Sequence, residues 1–138
     1  MDLGHSAGAG AGIERVGSSS NGSRRRTTLA GAPATMTLSV QEQIDVFHNA
    51  EVIVAPHGAA LTNITWSRPG VRVLEMFAGS YVHLGLWTIA EAIGGIHYRY
   101  LIGSGTLPEG KEPTGIVDDI DIPVVRVEAA LEDLLAAR

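Results

Sequence analysis

Residues 52–63 read VIVAPHGAALTN, and this stretch decides the fold. The apolar run over residues 51–55 is short, rich in β-branched side chains and free of polar alternation. Such a run is typical of a strand that is buried on both faces, as in a parallel sheet. The run stops at Pro56, His57 and Gly58, and small residues then predict a short helix over residues 59–65. The stretch therefore predicts a strand, a tight turn and a helix start.

A helix is predicted immediately before this strand. Residues 39–42, Ser-Val-Gln-Glu, have the spacing of a capping box, in which the serine and the glutamate satisfy each other's backbone amides. Apolar side chains then recur at positions i, i+4 and i+7, on one helical face: Val40, Ile44 and Phe47. The helix is expected to end near residue 50.

Downstream, strands and helices continue to alternate. The predicted elements are a turn at 68–70, a strand at 71–77, a helix at 81–93, a strand at 96–102, a loop at 103–119, a short strand at 120–125 and a closing helix. Pro123 would place the last strand at a sheet edge, and the closing helix has the clearest amphipathic period. This order predicts a parallel α/β sheet with right-handed crossovers.

Composition separates the chain into two parts. Residues 1–36 are predicted to be a disordered low-complexity tail, because stretches such as AGAGAG and GSSSNGS cannot repay the entropy of ordering. Residues 37–138 are predicted to form one domain.

Charge and composition exclude several classes of function. The net charge of −5 gives no reason to expect a nucleic-acid partner. The absence of cysteine excludes disulfides, zinc–thiolate sites and cysteine nucleophiles. No apolar stretch reaches the length of about 18 residues that a membrane span needs, and the N-terminus lacks the apolar core of a signal peptide.

The turn after the first strand is a candidate anion site. Ligands of open α/β sheets bind beyond the carboxyl ends of the strands, where Pro56 to Ala60 lie. Gly58 can take a backbone conformation that other residues avoid, and the free amides and dipole of the following helix suit a diphosphate. His57 can add a hydrogen bond or, when protonated, a positive charge. The alternative is an ordinary turn glycine beside a packed or capping histidine.

Other polar residues have weaker support as ligand-binding residues. Glu75 ends the next strand, where a carboxylate can accept hydrogen bonds from ribose hydroxyls, although a solvated or ion-paired glutamate fits equally well. Thr62 and Asn63 can face either a ligand or the sheet. The acidic cluster at 118–121 lacks EF-hand spacing, so a solvated turn is favoured and no metal site is predicted. The tyrosines of the 96–102 strand are interpreted as packing residues. The chain has neither a GxGxxG fingerprint nor a P-loop lysine motif.

Residues 38–77, LSVQEQIDVFHNAEVIVAPHGAALTNITWSRPGVRVLEMF, resemble the C-terminal part of family-61 glycosyltransferases. The shared pattern is a Gln-rich helix ending in Phe-x-x-Ala, a strand, His-Gly-Ala-x-Leu-x-Asn, then Pro-Gly and a strand ending in an acidic residue. It is carried here by Gln43, Phe47, Ala50, His57, Gly58, Ala59, Leu61, Asn63, Pro69, Gly70 and Glu75. The closing segment is also similar, so the resemblance covers residues 37–135.

The resemblance implies a Rossmann-like parallel sheet flanked by helices, forming one half of a GT-B glycosyltransferase fold. It implies an inverting transfer from a nucleotide sugar, a UDP-sugar by preference, to a glycan or glycoprotein acceptor, without a cofactor or an obligatory metal. The implied contacts to the nucleotide sugar and its diphosphate are His57, Gly58, Ala59, Ala60, Leu61 and Asn63. Glu75 is the implied contact to the ribose or base.

The other half of a GT-B fold has no counterpart in residues 1–36. That lobe is expected to supply much of the acceptor site and the general base that an inverting transfer needs, and no residue is assigned as catalytic. The hypothesis is a donor-binding portion that is inactive alone. The alternatives are a non-catalytic nucleotide-binding module or the structural remnant of a truncated gene. The resemblance implies the Golgi or secretory pathway for a eukaryotic member and the cytoplasm for a bacterial one.

Overall fold

The computed structural model describes residues 38–104 and 118–137, which contain a three-stranded parallel sheet of order β1-β2-β3. Its elements are α1 (Val40–Asn49), β1 (Val52–Pro56), a 3-10 helix (Ala59–Trp66), β2 (Arg72–Phe77), α2 (Gly85–Ile93), β3 (His97–Ile102) and α3 (Val124–Ala136). The predicted parallel α/β architecture is confirmed. The predicted tail at 1–36 and most of the 103–119 loop lie outside the described residues.

The first helix begins as its sequence predicts. The Ser39 hydroxyl accepts a hydrogen bond from the Glu42 amide at 3.3 Å, and the Glu42 carboxylate accepts one from the Ser39 amide at 2.9 Å. This reciprocal pair is a capping box, which satisfies two amides that no helical carbonyl can reach. Phe47 is buried, whereas Val40 at the helix start is exposed, so the predicted apolar face is correct only in its later part.

The main core lies between the sheet and three helices. In register across the strands, Ile53 faces Val73 and Val73 faces Tyr98, and the two aliphatic residues have no exposed surface. The core is built from Phe47, Ala50, Ile53, Leu61, Ile64, Val71, Val73, Leu86 and Ala90. These residues lie in α1, β1, the 3-10 helix, β2 and α2, except that Ala50 directly follows α1 and Val71 directly precedes β2. Because each fully buried aliphatic side chain contributes about 1.5–3 kcal/mol, this cluster anchors the strand-turn-helix segment.

The last helix, α3, packs against β2 and β3 through its buried Leu134. Arg72, the first residue of β2, donates from Nε to the carbonyl of Leu134 at 3.1 Å and from Nη2 to the carbonyl of Ala137 at 3.3 Å. A cation is favourable here because the last carbonyls of a helix lack intrahelical partners and carry partial negative charge. Arg72 thereby ties the end of α3 to the start of the central strand.

The predicted fourth strand at 120–125 is wrong. The Pro123 carbonyl accepts hydrogen bonds from the amides of Arg126 at 2.9 Å and Val127 at 3.4 Å, so a helix opens directly after the proline. The β-branched pair that suggested a strand, Val124 and Val125, occupies the first turn of α3 and is largely exposed.

The second helix begins at Gly85 and not at residue 81. The Gly85 amide donates to Nδ1 of His83 at 3.1 Å, and a Cβ on Gly85 would lie only 2.6 Å from Cε1 of that ring. His83 therefore belongs to the loop before the helix, not to the helix as predicted. Gly94 and Gly95, with φ of 75° and 69°, end the helix after Ile93, which is also the last residue of the predicted helix. No helix in the described part of the chain is long and apolar enough to cross a membrane.

Candidate functional site

The candidate site lies at the carboxyl edge of the sheet, where β1 and β2 end side by side. The His57 amide donates to the Met76 carbonyl at 2.7 Å, so the backbone pairing continues one residue beyond β1. Side chains alternate along a strand, and the register places Ala55 opposite Glu75. His57 and Glu75 consequently lie on the same side of the sheet and meet.

A buried carboxylate joins three side chains of the site. Oε1 of Glu75 lies 2.6 Å from Nδ1 of His57, and Oε2 accepts a hydrogen bond from the Tyr98 hydroxyl. Glu75 has no exposed surface. Both carboxylate oxygens therefore have protein partners, as a carboxylate removed from water requires. Sequence reasoning brought His57 and Glu75 to one edge of the sheet but missed Tyr98.

The tyrosine acts as a hydrogen-bond donor over the whole ordinary pH range. Burial raises the pKa of Tyr98 above its ordinary value of 10.0, and the hydrogen bond to Glu75 and the charge of that carboxylate raise it further. The hydroxyl therefore keeps its proton and donates a hydrogen bond to the carboxylate. The sequence shows Tyr98 only as a tyrosine in a predicted strand. Its contact with Glu75 could not be predicted, because the register between strands is not visible in a single sequence.

Three rings surround the His57 imidazole. Phe77 stacks on it with a centroid distance of 4.9 Å, while Tyr81 at 5.4 Å and His83 at 6.1 Å are tilted against it. The His57 side chain keeps 21% of its surface exposed. Among the described residues, its Nε2 atom has no hydrogen-bond partner, so this nitrogen can serve a ligand.

The turn after His57 opens into the predicted short helix, which is a 3-10 helix. The first intrahelical bond runs from the Leu61 amide to the Gly58 carbonyl at 3.0 Å, so the amides of Ala59 and Ala60 precede it. Such amides are free to bind an anion.

Gly58 does not use the conformational freedom of glycine, because its φ of 170° is extended and open to any residue. A Cβ placed there would meet no described heavy atom within 4 Å, so space is open beside it.

Two predicted ligand contacts have packing roles in the structure. The Leu61 side chain belongs to the core. The Asn63 amide donates to Oε1 of Gln43 at 3.1 Å and so ties the 3-10 helix to α1. Direct ligand contacts by Leu61 and Asn63 stay predictions. The ribose contact of Glu75 also stays a prediction. A ribose that bound there would have to displace His57 or Tyr98 from the buried carboxylate.

The acidic cluster at 118–121 takes part in a structural hydrogen bond. Asp118 accepts a hydrogen bond from the Ser80 hydroxyl at 2.5 Å, which ties the segment before α3 to the loop after β2. Within residues 38–104 and 118–137, no group of three or more histidine and acidic side chains could hold a metal ion.

Comparison with known proteins gives one match. Residues 33–74 match the family model described as Glycosyltransferase 61. The resemblance to family-61 glycosyltransferases is confirmed over these residues. The matched family consists of glycosyltransferases, so the resemblance supports an enzyme of this class. The match includes the whole turn from His57 to Asn63 and stops one residue before Glu75. No curated protein and no solved structure gave a significant match.

Proposed function

We propose that residues 37–138 form the donor-binding portion of an inverting family-61 glycosyltransferase, as one Rossmann-like half of a GT-B fold. Its donor is a nucleotide sugar, a UDP-sugar by preference, and its acceptor is a glycan or glycoprotein. One observation carries the proposal: the matched segment contains the strand-turn-helix whose His57 stands at the carboxyl edge of a parallel sheet. Open α/β sheets bind their ligands at this edge.

In the proposed site, the donor diphosphate lies against the turn from His57 to Ala60. The amides of Ala59 and Ala60 and the positive end of the 3-10 helix face its oxygens. During transfer, an acceptor hydroxyl forms a bond to the anomeric carbon while the bond to the diphosphate oxygen breaks on the opposite side. Negative charge grows on the leaving diphosphate, and fixed hydrogen-bond donors lower the barrier by stabilising it.

The proton of the attacking hydroxyl must pass to a general base on the acceptor side. His57 is assigned to the diphosphate, which leaves from the opposite face of the sugar, so the same side chain cannot supply this base. We propose that the base comes from outside residues 38–104 and 118–137 and that the 138-residue chain alone transfers no sugar. Release of UDP and a glycosylated acceptor by the purified chain would refute this part.

Calorimetric titration of the full chain with UDP tests the donor site. We expect micromolar binding that is lost in His57→Ala. His48→Ala is the matched control, because His48 is an exposed histidine of α1 whose ring contacts Arg68 and the Trp66 carbonyl and not the site. Absence of UDP binding to the wild-type chain, or equal loss in both variants, contradicts the proposed donor site.

A further inference from the structure

The buried carboxylate of Glu75 has a consequence for the proton on its neighbour. We propose that Glu75 is a positioning residue that keeps one proton on the His57–Glu75 pair, so that Nε2 of His57 carries an N–H and donates it to the donor diphosphate. This inference rests on the proposed function, because it states how that site recognises the diphosphate.

The buried Glu75 carboxylate needs a group that can neutralise its charge. Glu75 has no exposed surface, and an uncompensated carboxylate in a protein interior is costly. Its described partners are His57 and Tyr98, and the tyrosine contributes a neutral hydroxyl. The remaining rings around the imidazole are Phe77, Tyr81 and His83, of which only the exposed His83 can become cationic. His57 is therefore the group in contact with the carboxylate that can neutralise it.

The number of protons on the His57–Glu75 pair decides whether Nε2 is a donor or an acceptor. When the pair holds the extra proton as imidazolium and carboxylate, both ring nitrogens carry hydrogen. When it holds that proton as imidazole and carboxylic acid, Nδ1 accepts from the carboxyl group and Nε2 carries the hydrogen. In both arrangements Nε2 is a donor. Without the extra proton, Nδ1–H donates to the carboxylate and Nε2 becomes an acceptor, which repels a phosphate oxygen.

The contacts of the His57 imidazole fix the direction in which Nε2 points. The bond of 2.6 Å from Nδ1 to Glu75 and the stacking on Phe77 together fix the rotation of the imidazole. Nε2 lies across the ring from Nδ1 and has no hydrogen-bond partner within the described residues. His57 also directly precedes Gly58 and the free amides of the 3-10 helix. The imidazole N–H and those amides thus come from one short turn, as a single anion requires.

Glu75→Gln separates this role from a purely structural one. The amide oxygen can still accept from Nδ1–H, but the amide has no charge with which to hold a second proton on the ring. We expect UDP affinity to fall about ten-fold at a pH of about 8, the loss of one charge-assisted hydrogen bond. The variant should approach the wild type at a pH of about 5.5, where an ordinary imidazole is protonated.

The measured quantity is the ratio of the two UDP dissociation constants at each pH, because the titration of the UDP phosphate cancels in this ratio. Glu91→Gln is the matched control, since Glu91 is an exposed glutamate of α2, and its ratio to the wild type should stay at one throughout. A Glu75→Gln ratio that does not change with pH overturns the positioning role. Absence of UDP binding to the wild type overturns the proposed function and, with it, the ligand of this inference.

Nitrogen-15 NMR of the histidine rings tests the proton without any change to Glu75, and it decides the matter if Glu75→Gln does not fold. The His57 signals are identified by their loss in His57→Asn. We expect Nε2 of the ligand-free wild type to have the chemical shift of a protonated nitrogen at a pH of about 8. The shift of a bare nitrogen would overturn the inference.

Discussion

Removing the hydroxyl of Tyr98 should destabilise the fold through the carboxylate that it satisfies. In Tyr98→Phe the ring can keep its packing, but Oε2 of the buried Glu75 loses its hydrogen-bond donor. A hydrogen bond to a charged group contributes about 1.5–3 kcal/mol, and a buried acceptor without a partner adds a desolvation penalty. Glu75 is completely buried, so water cannot replace the lost hydroxyl without opening the site. We therefore expect a loss of about 2 kcal/mol in the free energy of unfolding.

Urea denaturation of the full chain at neutral pH measures this loss. Tyr100→Phe is the matched control, because Tyr100 lies two residues further along β3, is 46% exposed and contacts Phe77 through its ring. Its hydroxyl has no hydrogen-bond partner within the described residues, so the control should stay within about 0.5 kcal/mol of the wild type. Equal stabilities of Tyr98→Phe and Tyr100→Phe would refute the argument that the carboxylate depends on the hydroxyl.

Two further results follow from the structure. Because the pKa of Tyr98 is raised in the folded state, the folded chain keeps a proton that the unfolded chain loses above a pH of about 10. The wild-type free energy of unfolding should therefore decline as the pH rises past that value, and its excess over that of Tyr98→Phe should shrink. Urea denaturation of both proteins across this pH range measures the excess, and a constant excess would contradict the prediction. Gly85→Ala places a Cβ 2.6 Å from the ring of the exposed His83, which must move aside and lose its hydrogen bond from the residue 85 amide, so we expect a loss of about 1 kcal/mol. Thermal unfolding checks this, and a stability equal to that of Gly58→Ala, whose Cβ meets no described atom, would contradict it.

The parts of the fold that the sequence predicts are those set by local patterns. The capping box at Ser39 and the unbroken apolar run of β1 act within a few residues, and both are confirmed. The predicted strand at 120–125 failed because β-branched side chains are common in strands, whereas Pro123 also suits the residue before a helix. The late start of α2 has a similar reason, since Val82 has the right spacing for the helix but lies exposed before it.

The candidate site shows the same limit. That His57 and Glu75 meet at one sheet edge follows from two strand ends that are visible in the sequence. That Tyr98 reaches the same carboxylate depends on the register of β3 against β2, which a single chain does not reveal. The burial of Leu61 and the bond between Asn63 and Gln43 depend in turn on how the 3-10 helix packs against its neighbours.

The tyrosine on β3 also bears on the order of folding. Residues 33–74 carry the family match, yet the group that completes the hydrogen bonding of Glu75 enters the chain only at residue 98. Arg72 likewise finds its acceptors more than sixty residues later, at the end of α3. During synthesis, a nascent chain that has emerged as far as Phe77 would contain His57 and Glu75 but could not stabilise their contact. The site should therefore assemble late, when β3 docks, and its formation should be cooperative with that of the whole sheet.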